Sequence, residues 1–216
     1  MTLQILIVII FMVAFIGNLY ADRHSNLKLL KGLTKSLLVP LIILFYLISA
    51  EHINYFIVTA LFLGFLGDVS LLCTKKIFFA IGLLAFLVGH LFYTLAFLQS
   101  TQYFEIVPIW FFAILIPYIL YGLAILRILR PNLKEMLVPV VVYMCVILIM
   151  SFTSSSRIWN GFTPQFLLPF IGSLFFIASD SVLAYNNFNA PSANYEQFIM
   201  FTYILAQVLI VAGFLY

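Results

Sequence analysis

Long apolar runs, separated by short polar stretches, follow one another along the whole chain. A transmembrane helix needs about 20 mostly apolar residues at a rise of about 1.5 Å per residue. Eight runs satisfy this length, at residues 3–20, 33–50, 53–73, 77–98, 105–126, 136–153, 165–186 and 197–216. Because the connections are short, we expect antiparallel neighbours and a single transmembrane helical domain over residues 1–216. The predicted fold class is therefore all-α, a polytopic membrane helix bundle.

The composition excludes a water-soluble globular protein. Hydrophobic residues make up 65% of the 216 residues and charged residues 8%, whereas soluble domains carry roughly 25% charged residues. The first apolar run follows MTLQ, which lacks the cationic segment of a secretory signal, so we expect a retained span. We expect an integral protein of a bacterial cytoplasmic membrane, or of an internal organelle membrane if the protein is eukaryotic. The net charge of +3 comes with no basic tail, so no nucleic-acid partner is expected.

The positions of the basic residues predict the orientation of the bundle. Nine of the ten lie in or beside the first, third and fifth loops, and Arg157 alone lies on the opposite side. The nine are Arg23, Lys28, Lys31, Lys35, Lys75, Lys76, Arg127, Arg130 and Lys134. Short cytoplasmic loops are enriched in Lys and Arg. The odd-numbered loops are therefore predicted to be cytoplasmic and both termini non-cytoplasmic.

Two of the seven acidic residues lie inside predicted helices. Five fall at helix ends or in loops and are expected to be solvated surface charges: Asp22, Glu51, Glu105, Glu135 and Glu196. Asp68 and Asp180 lie instead in the third and seventh helices, at similar predicted depths, with Asp68 about 10 Å of helix from the cytoplasmic boundary. Because a charge in the hydrocarbon region is costly, such residues are rare and usually functional.

The two buried carboxyl groups have more than one interpretation. A structural ion pair would need a deep basic residue, and Lys35 is the only one expected at a comparable depth, so it could serve only one of them. Two neighbouring carboxyl groups in a low dielectric do not both ionise readily, so the pair can supply an acid and a base together. A cation held between them, or a proton pathway through the membrane, uses the same residues.

Further polar side chains lie within the predicted spans. His90 and Tyr93 share a helix face at a spacing of three, and Tyr203 and Gln207 share one at a spacing of four. His90 is either a hydrogen-bonding tie between helices or part of the chemistry. Since no second histidine lies deep in a helix, neither a zinc nor a di-iron site is predicted, and no cofactor is expected.

The two cysteines and the absent motifs narrow the possible chemistry. Cys73 and Cys145 are expected to be small buried hydrophobic residues. The chain lacks a nucleophile elbow, a P-loop, an HExxH motif and a dinucleotide fingerprint. An intramembrane aspartyl protease is disfavoured because GFLGD does not have GxGD spacing.

Five stretches, taken in order, resemble the YhhN-like family of integral membrane proteins, the lysoplasmalogenases. The stretches are FLGFLGDVSLL, FFAIGLLAFLVGHLFYTLAF, PVVVYMCVILIM, LPFIGSLFFIASDSVLAYNNF and FIMFTYILAQVLIVAG. The resemblance runs from about Lys35 to the C-terminus. It implies hydrolysis of the vinyl ether bond of alkenyl lysophosphatidylethanolamine or lysophosphatidylcholine, giving a fatty aldehyde and the glycerophospho-base. The positions that match the polar motif of the family are Lys35, Asp68, His90, Tyr93, Tyr143, Ser179, Asp180, Tyr203 and Gln207.

The chemistry of vinyl ethers agrees with a site built on two carboxyl groups. A vinyl ether is cleaved after protonation of its β-carbon, and water then captures the oxocarbenium ion, so no nucleophilic serine is needed. One of Asp68 and Asp180 is expected to be the general acid and the other the base, with the order left open. The remaining motif residues would bind substrate, Lys35 through the phosphate. The alternative function is a proton-coupled small-molecule or lipid transporter that uses the same two aspartates.

Overall fold

In the computed structural model, which describes residues 2–24, 26–73, 75–101 and 107–215, the chain folds into helices throughout. Eight α-helices form among these residues: α1 (Thr2–Asp22), α2 (Lys28–Ser49), α3 (Tyr55–Leu71), α4 (Lys76–Ser100), α5 (Leu115–Leu133), α6 (Leu137–Ser156), α7 (Pro164–Phe188) and α8 (Ala193–Ala212). No strand occurs in the described part of the chain. The predicted all-α helix bundle is confirmed.

The helices have the length and composition of membrane spans. Six continuous helical stretches are long and apolar enough to cross a bilayer, and one of these, Ile109–Trp159, contains both α5 and α6. The helix α3 is apolar but shorter, with 17 residues. The molecule is therefore an integral membrane protein.

The predicted start of the fifth helix is wrong. Residues 105 and 106, including Glu105, lie outside the described residues, and the first described helical turns are a 3₁₀-helix over Ile109–Ile114. The α-helix proper begins only at Leu115. Pro108 directly precedes the 3₁₀-helix, in an extended conformation, and a proline restricts the backbone around it. Hydropathy alone does not register this change of backbone geometry.

The helices α5 and α6 form a tight antiparallel pair. The chain reverses over the 3₁₀-helix Lys134–Met136, where Lys134 has a φ of 45°. Farther along, the Tyr118 hydroxyl lies 3.0 Å from Ser151 Oγ. The turn and the contact between Tyr118 and Ser151 both show that α5 and α6 run in opposite directions.

The most extensive helix contact lies between α7 and α8, and a glycine permits their backbones to approach. A Cβ atom on Gly172 would lie 2.9 Å from the carbonyl oxygen of Ala206 and 2.9 Å from Cγ1 of Ile210. Small residues permit this kind of backbone approach in membrane bundles. Closer to the other end of the pair, Ser179 Oγ donates to the carbonyl oxygen of Ile199 at 3.1 Å.

Replacing Gly172 with alanine is expected to destabilise the bundle by roughly 1–3 kcal/mol, because the added methyl group meets backbone that cannot rotate away. Unfolding in mixed detergent micelles by SDS titration measures this change. Gly32→Ala is the matched control, because its Cβ would have 3.9 Å of space to Leu72 and alanine is the better helix former. Equal stability of the two variants would contradict the prediction.

The bundle has two distinct ends. The connections after α1, α3, α5 and α7 lie at one end with nine of the ten basic residues, and we call this the basic end. At the opposite end, Glu51 N–H donates to the carbonyl oxygen of Leu215, and Gln4 Nε2 donates to Ser49 Oγ. The described residues nearest to both termini therefore lie together at the opposite end, in agreement with the prediction that both termini lie on the side away from the basic loops.

The expectation that Asp22 is a solvated surface charge is wrong. Its side chain is 3% exposed, and one carboxylate oxygen lies 3.0 Å from Lys31 Nζ. Lys31 also pairs with Glu196 at 2.5 Å, so one cation ties α1, α2 and α8 together. A position at a helix end does not by itself indicate exposure, because the burial of Asp22 depends on the helices that pack around it. Glu51, Glu135 and Glu196 are exposed, as expected.

The expectation for the two cysteines is also wrong. Cys73 and Cys145 are free thiols, and both are exposed on the surface of the bundle. In a membrane protein the outer surface of a helix faces acyl chains, so an apolar sequence neighbourhood does not distinguish a buried residue from a lipid-facing one.

Candidate active site

A cavity opens at the basic end of the bundle. Its volume is ≈ 920 Å³, and its wall includes residues from both the helix ends and the connections. A smaller pocket of ≈ 40 Å³, lined by Phe86, Tyr143 and Asp180, shares Leu71 and Phe79 with it. The large cavity therefore adjoins the small pocket that Asp180 lines.

Asp68 lies beside this cavity in an ion pair. Its side chain is 2% exposed, and Oδ1 lies 3.4 Å from the Nζ atom of Lys35, which also lines the cavity. The second oxygen, Oδ2, accepts a hydrogen bond of 2.8 Å from the Tyr203 hydroxyl. The expectation that Lys35 can pair with one of the two deep acids agrees with this geometry. Asp68 lies in the last turn of α3, which ends at Leu71 rather than at the predicted residue 73.

A chain of hydrogen bonds extends inward from Asp68. Gln207 Nε2 donates to the Tyr203 hydroxyl at 3.2 Å, and the Tyr93 hydroxyl donates to Gln207 Oε1. Gly64 makes room for these groups, because a Cβ at that position would lie 3.0 Å from Gln207 Nε2 and 3.1 Å from the Tyr203 hydroxyl. One turn before Asp68 on α3, this glycine brings α8 close to the carboxyl group.

Asp180 has different surroundings. Its Oδ2 atom accepts a hydrogen bond of 2.5 Å from the Tyr143 hydroxyl and lies 3.8 Å from Nε2 of His90. No Lys or Arg of the described residues pairs with it. Its side chain is 13% exposed, so it is more accessible than Asp68. The two carboxyl groups thus differ in their hydrogen-bond and ion-pair partners and in the exposed fraction of their side chains.

His90 is enclosed by aromatic rings. Its ring meets Phe176 edge-on, with 5.0 Å between centroids, and Tyr143 edge-on at 5.5 Å. Its Nδ1 atom is buried and has no hydrogen-bond partner among the described residues. Such an unpaired nitrogen is a place where a water molecule or a polar atom of a substrate would be accepted.

Two phenylalanines connect the surroundings of the two carboxyl groups. Phe176 packs against His90 on one side and against Tyr203 on the other, at a centroid distance of 5.7 Å. Phe86 meets Tyr203 edge-on at 5.8 Å and also lines the small pocket beside Asp180. Its ring fills the space left by Gly67, where a Cβ would lie 2.6 Å from Cε2 of Phe86.

The model of the YhhN family matches residues 30–214. The chain belongs to the YhhN family. No curated protein and no solved structure matches it. The matched region contains all nine predicted site residues and excludes α1.

In this YhhN-family chain, eight of the nine predicted site residues lie in two groups that are joined by hydrogen bonds and ion-pair contacts. One group joins Lys35, Asp68, Tyr203, Gln207 and Tyr93. The other joins His90, Asp180 and Tyr143. Ser179 lies outside both groups, because its hydroxyl donates to the backbone of α8. Its position indicates a structural tie between α7 and α8.

Sequence reasoning did not single out Phe86, Phe176 or Gly64 as parts of the YhhN site. Phe86 stands four residues before His90, and Gly64 four residues before Asp68, so both share a helix face with a polar site residue. This spacing of four residues was the signal in the sequence that could have identified Phe86 and Gly64. Among the described residues, no group of three or more His, Cys, Asp or Glu side chains is arranged to hold a metal ion.

Proposed function

We propose that this YhhN-family protein hydrolyses the vinyl ether bond of lysoplasmalogens, releasing a fatty aldehyde and glycerophosphoethanolamine or glycerophosphocholine. The observation that supports the proposal is the pair of buried carboxyl groups with different partners: Asp68 is paired with Lys35 of the cavity wall, and Asp180 lines the small adjoining pocket. Paired carboxyl groups with unequal surroundings are suited to acid and base roles in one reaction.

The cavity suits a lysophospholipid headgroup. Its volume lies within the range of roughly 300–1,000 Å³ that is usual for ligand sites. Charged residues of both signs line it, namely Asp22, Lys31, Lys35, Lys134, Glu135 and Glu196. A zwitterionic headgroup offers a phosphate to the lysines and an ammonium to the carboxylates. The alkenyl chain would then extend between the apolar helices.

The assignment of acid and base follows from the charges around each carboxyl group. The Lys35 ammonium beside Asp68 favours the ionised carboxylate. Asp180 has no such cation among the described residues and lies against the small pocket. Asp180 is therefore the proton donor in this proposal, and Asp68 is the carboxylate that activates water.

The proposed reaction consumes one water molecule and involves no oxidation or reduction. The Asp180 proton bonds to the β-carbon of the alkenyl group, and the former double-bond electrons form that bond, leaving an oxocarbenium ion. Water adds to its carbon while Asp68 accepts a proton, which gives a hemiacetal. The bond from this carbon to the glycerol oxygen then breaks as Asp68 gives its proton to that oxygen, while the hemiacetal hydroxyl passes its proton to Asp180. The aldehyde and the glycerophospho-base leave, and both carboxyl groups return to their starting states.

The other residues position these groups. Tyr143 holds Asp180 by donating to Oδ2, and His90 presents its unpaired Nδ1 towards the buried interior. Tyr93 and Gln207 fix the orientation of the Tyr203 hydroxyl, which in turn orients Asp68. The phenylalanine walls limit the access of bulk water, which strengthens the electrostatic interactions of the two carboxyl groups with the developing positive charge.

Purified protein in detergent micelles, supplied with alkenyl lysophosphatidylethanolamine, is expected to release fatty aldehyde, whereas the acyl analogue yields none. The reason is that an ester offers no carbon–carbon double bond to protonate at that position. Aldehyde trapped by a hydrazine reagent measures the product. A folded protein that releases no aldehyde would contradict the proposal, and proton-dependent uptake of lysolipid into reconstituted vesicles would then support the transporter alternative.

A further inference from the structure

Arg157 is a buried cation at the opposite end of the bundle, away from the two carboxyl groups. It follows α6 directly, and only 6% of the residue is exposed. It lies 14 residues beyond Tyr143, or about 21 Å along the helix. Its guanidinium carbon lies 4.6 Å from the ring centroid of Phe214 and 5.7 Å from that of Phe97. The mechanism proposed above does not use it.

Several enclosed donors around Arg157 have no acceptor. Its Nε and Nη1 atoms, Ser154 Oγ and Trp159 Nε1 are all buried and lack a hydrogen-bond partner among the described residues. A guanidinium and an indole can only donate, and a hydroxyl can donate. Four of the unpartnered buried atoms thus lie within six residues of sequence. Three of them can only donate and need an acceptor, and the Ser154 hydroxyl can donate to the same acceptor.

Aromatic contacts and the helix end explain why a positive charge is tolerated there, but not why its N–H groups are unpaired. The two rings favour a cation over their faces, and the C-terminal end of α6 favours positive charge. Neither effect provides an oxygen to Nε or Nη1. Enclosed donors without partners are unfavourable, and a guanidinium fork matches the oxygens of a phosphate or carboxylate.

We propose that Arg157, Ser154 and Trp159 form a binding site for an oxyanion of the phosphate type at the opposite end of the bundle. One source of this ligand is the headgroup of a phospholipid in the leaflet at that end. The other is free inorganic phosphate. The site is separate from the carboxyl groups, so it stands whether or not the proposed hydrolysis does.

Thermal unfolding in a maltoside detergent tests this site. The wild-type protein is titrated with sodium phosphate against sodium chloride at equal ionic strength, and separately with dioleoylphosphatidic acid against dioleoylglycerol. At saturation we expect the Tm of the wild type to rise by about 5 °C or more. Arg157→Gln is expected to abolish this rise, whereas Arg130→Gln, at the basic end, keeps it.

The outcomes separate the two sources and can overturn the site. A rise with inorganic phosphate assigns a free anion, and a rise with phosphatidic acid alone assigns a lipid headgroup. If the Tm of the wild type does not rise, or if it rises equally in Arg157→Gln, the proposal is overturned. The buried donors would then be hydrogen-bonded to water molecules. If Arg157→Gln does not fold, Ser154→Ala decides, because it keeps the cation and is expected to weaken phosphate affinity several-fold. Ser154→Ala is also expected to leave aldehyde release unchanged.

Discussion

Asp180→Asn is expected to lower the rate of aldehyde release from alkenyl lysophosphatidylethanolamine by about 10²–10⁴-fold, the usual contribution of a general acid. An amide has nearly the size of a carboxyl group and still offers an oxygen to the Tyr143 hydroxyl, but it cannot transfer a proton to carbon. The loss should therefore appear in kcat while the Tm stays close to that of the wild type. Initial rates with trapped aldehyde, at saturating substrate, measure the effect.

The matched control is Glu51→Gln, an exposed acid in the connection between α2 and α3 at the opposite end. It makes the same change of a carboxyl group to an amide, but far from the two buried carboxyl groups, and is expected to retain the wild-type rate. Asp68→Asn completes the comparison, because both carboxyl groups are required by the proposed reaction. A wild-type rate in folded Asp180→Asn would remove this residue from the role of acid.

The sequence predicted the helices well because hydropathy measures the transfer of a segment into a bilayer. The helices α4 and α7 extend by only a few residues beyond the predicted 77–98 and 165–186. Hydropathy does not report which helix face is buried, since lipid and protein interior are both apolar. For this reason Phe176, at the centre of the site, and Ile116, on the outside of α5, look alike in the sequence.

The polar part of the site was predictable because few polar residues lie in the spans. His90, Tyr143 and Gln207 stood out against their apolar neighbours, and they lie in the two groups around Asp68 and Asp180. The partners of each carboxyl group were not predictable in the same way. Which of Asp68 and Asp180 meets Lys35 depends on how α2, α3 and α7 pack, and sequence spacing within one helix holds no information on that.

Lys35→Met is expected to destabilise the bundle by about 3–5 kcal/mol, the usual effect of removing one partner from a buried ion pair. Asp68 is almost fully enclosed, and Lys35 is the only Lys or Arg that pairs with it in the described part of the chain. Without the ammonium, the carboxylate keeps the Tyr203 hydrogen bond but loses its neutralising charge. Unfolding by SDS titration in mixed micelles measures the change in free energy.

The double variant Lys35→Met/Asp68→Asn separates the effect of losing the ion pair from the effect of losing the packing of the Lys35 side chain. Once the carboxylate is also removed, no buried charge stays uncompensated, so the double variant is expected to be more stable than Lys35→Met alone. Its aldehyde release is nevertheless expected to be absent, since Asp68 is the proposed base.

Lys28→Met is the control, because Lys28 is exposed on the first turn of α2 and has no ion pair among the described residues. A change in the free energy of unfolding within about 0.5 kcal/mol is expected for this variant. If the double variant were no more stable than Lys35→Met, the effect of Lys35 would lie in its packing against the cavity wall rather than in its charge.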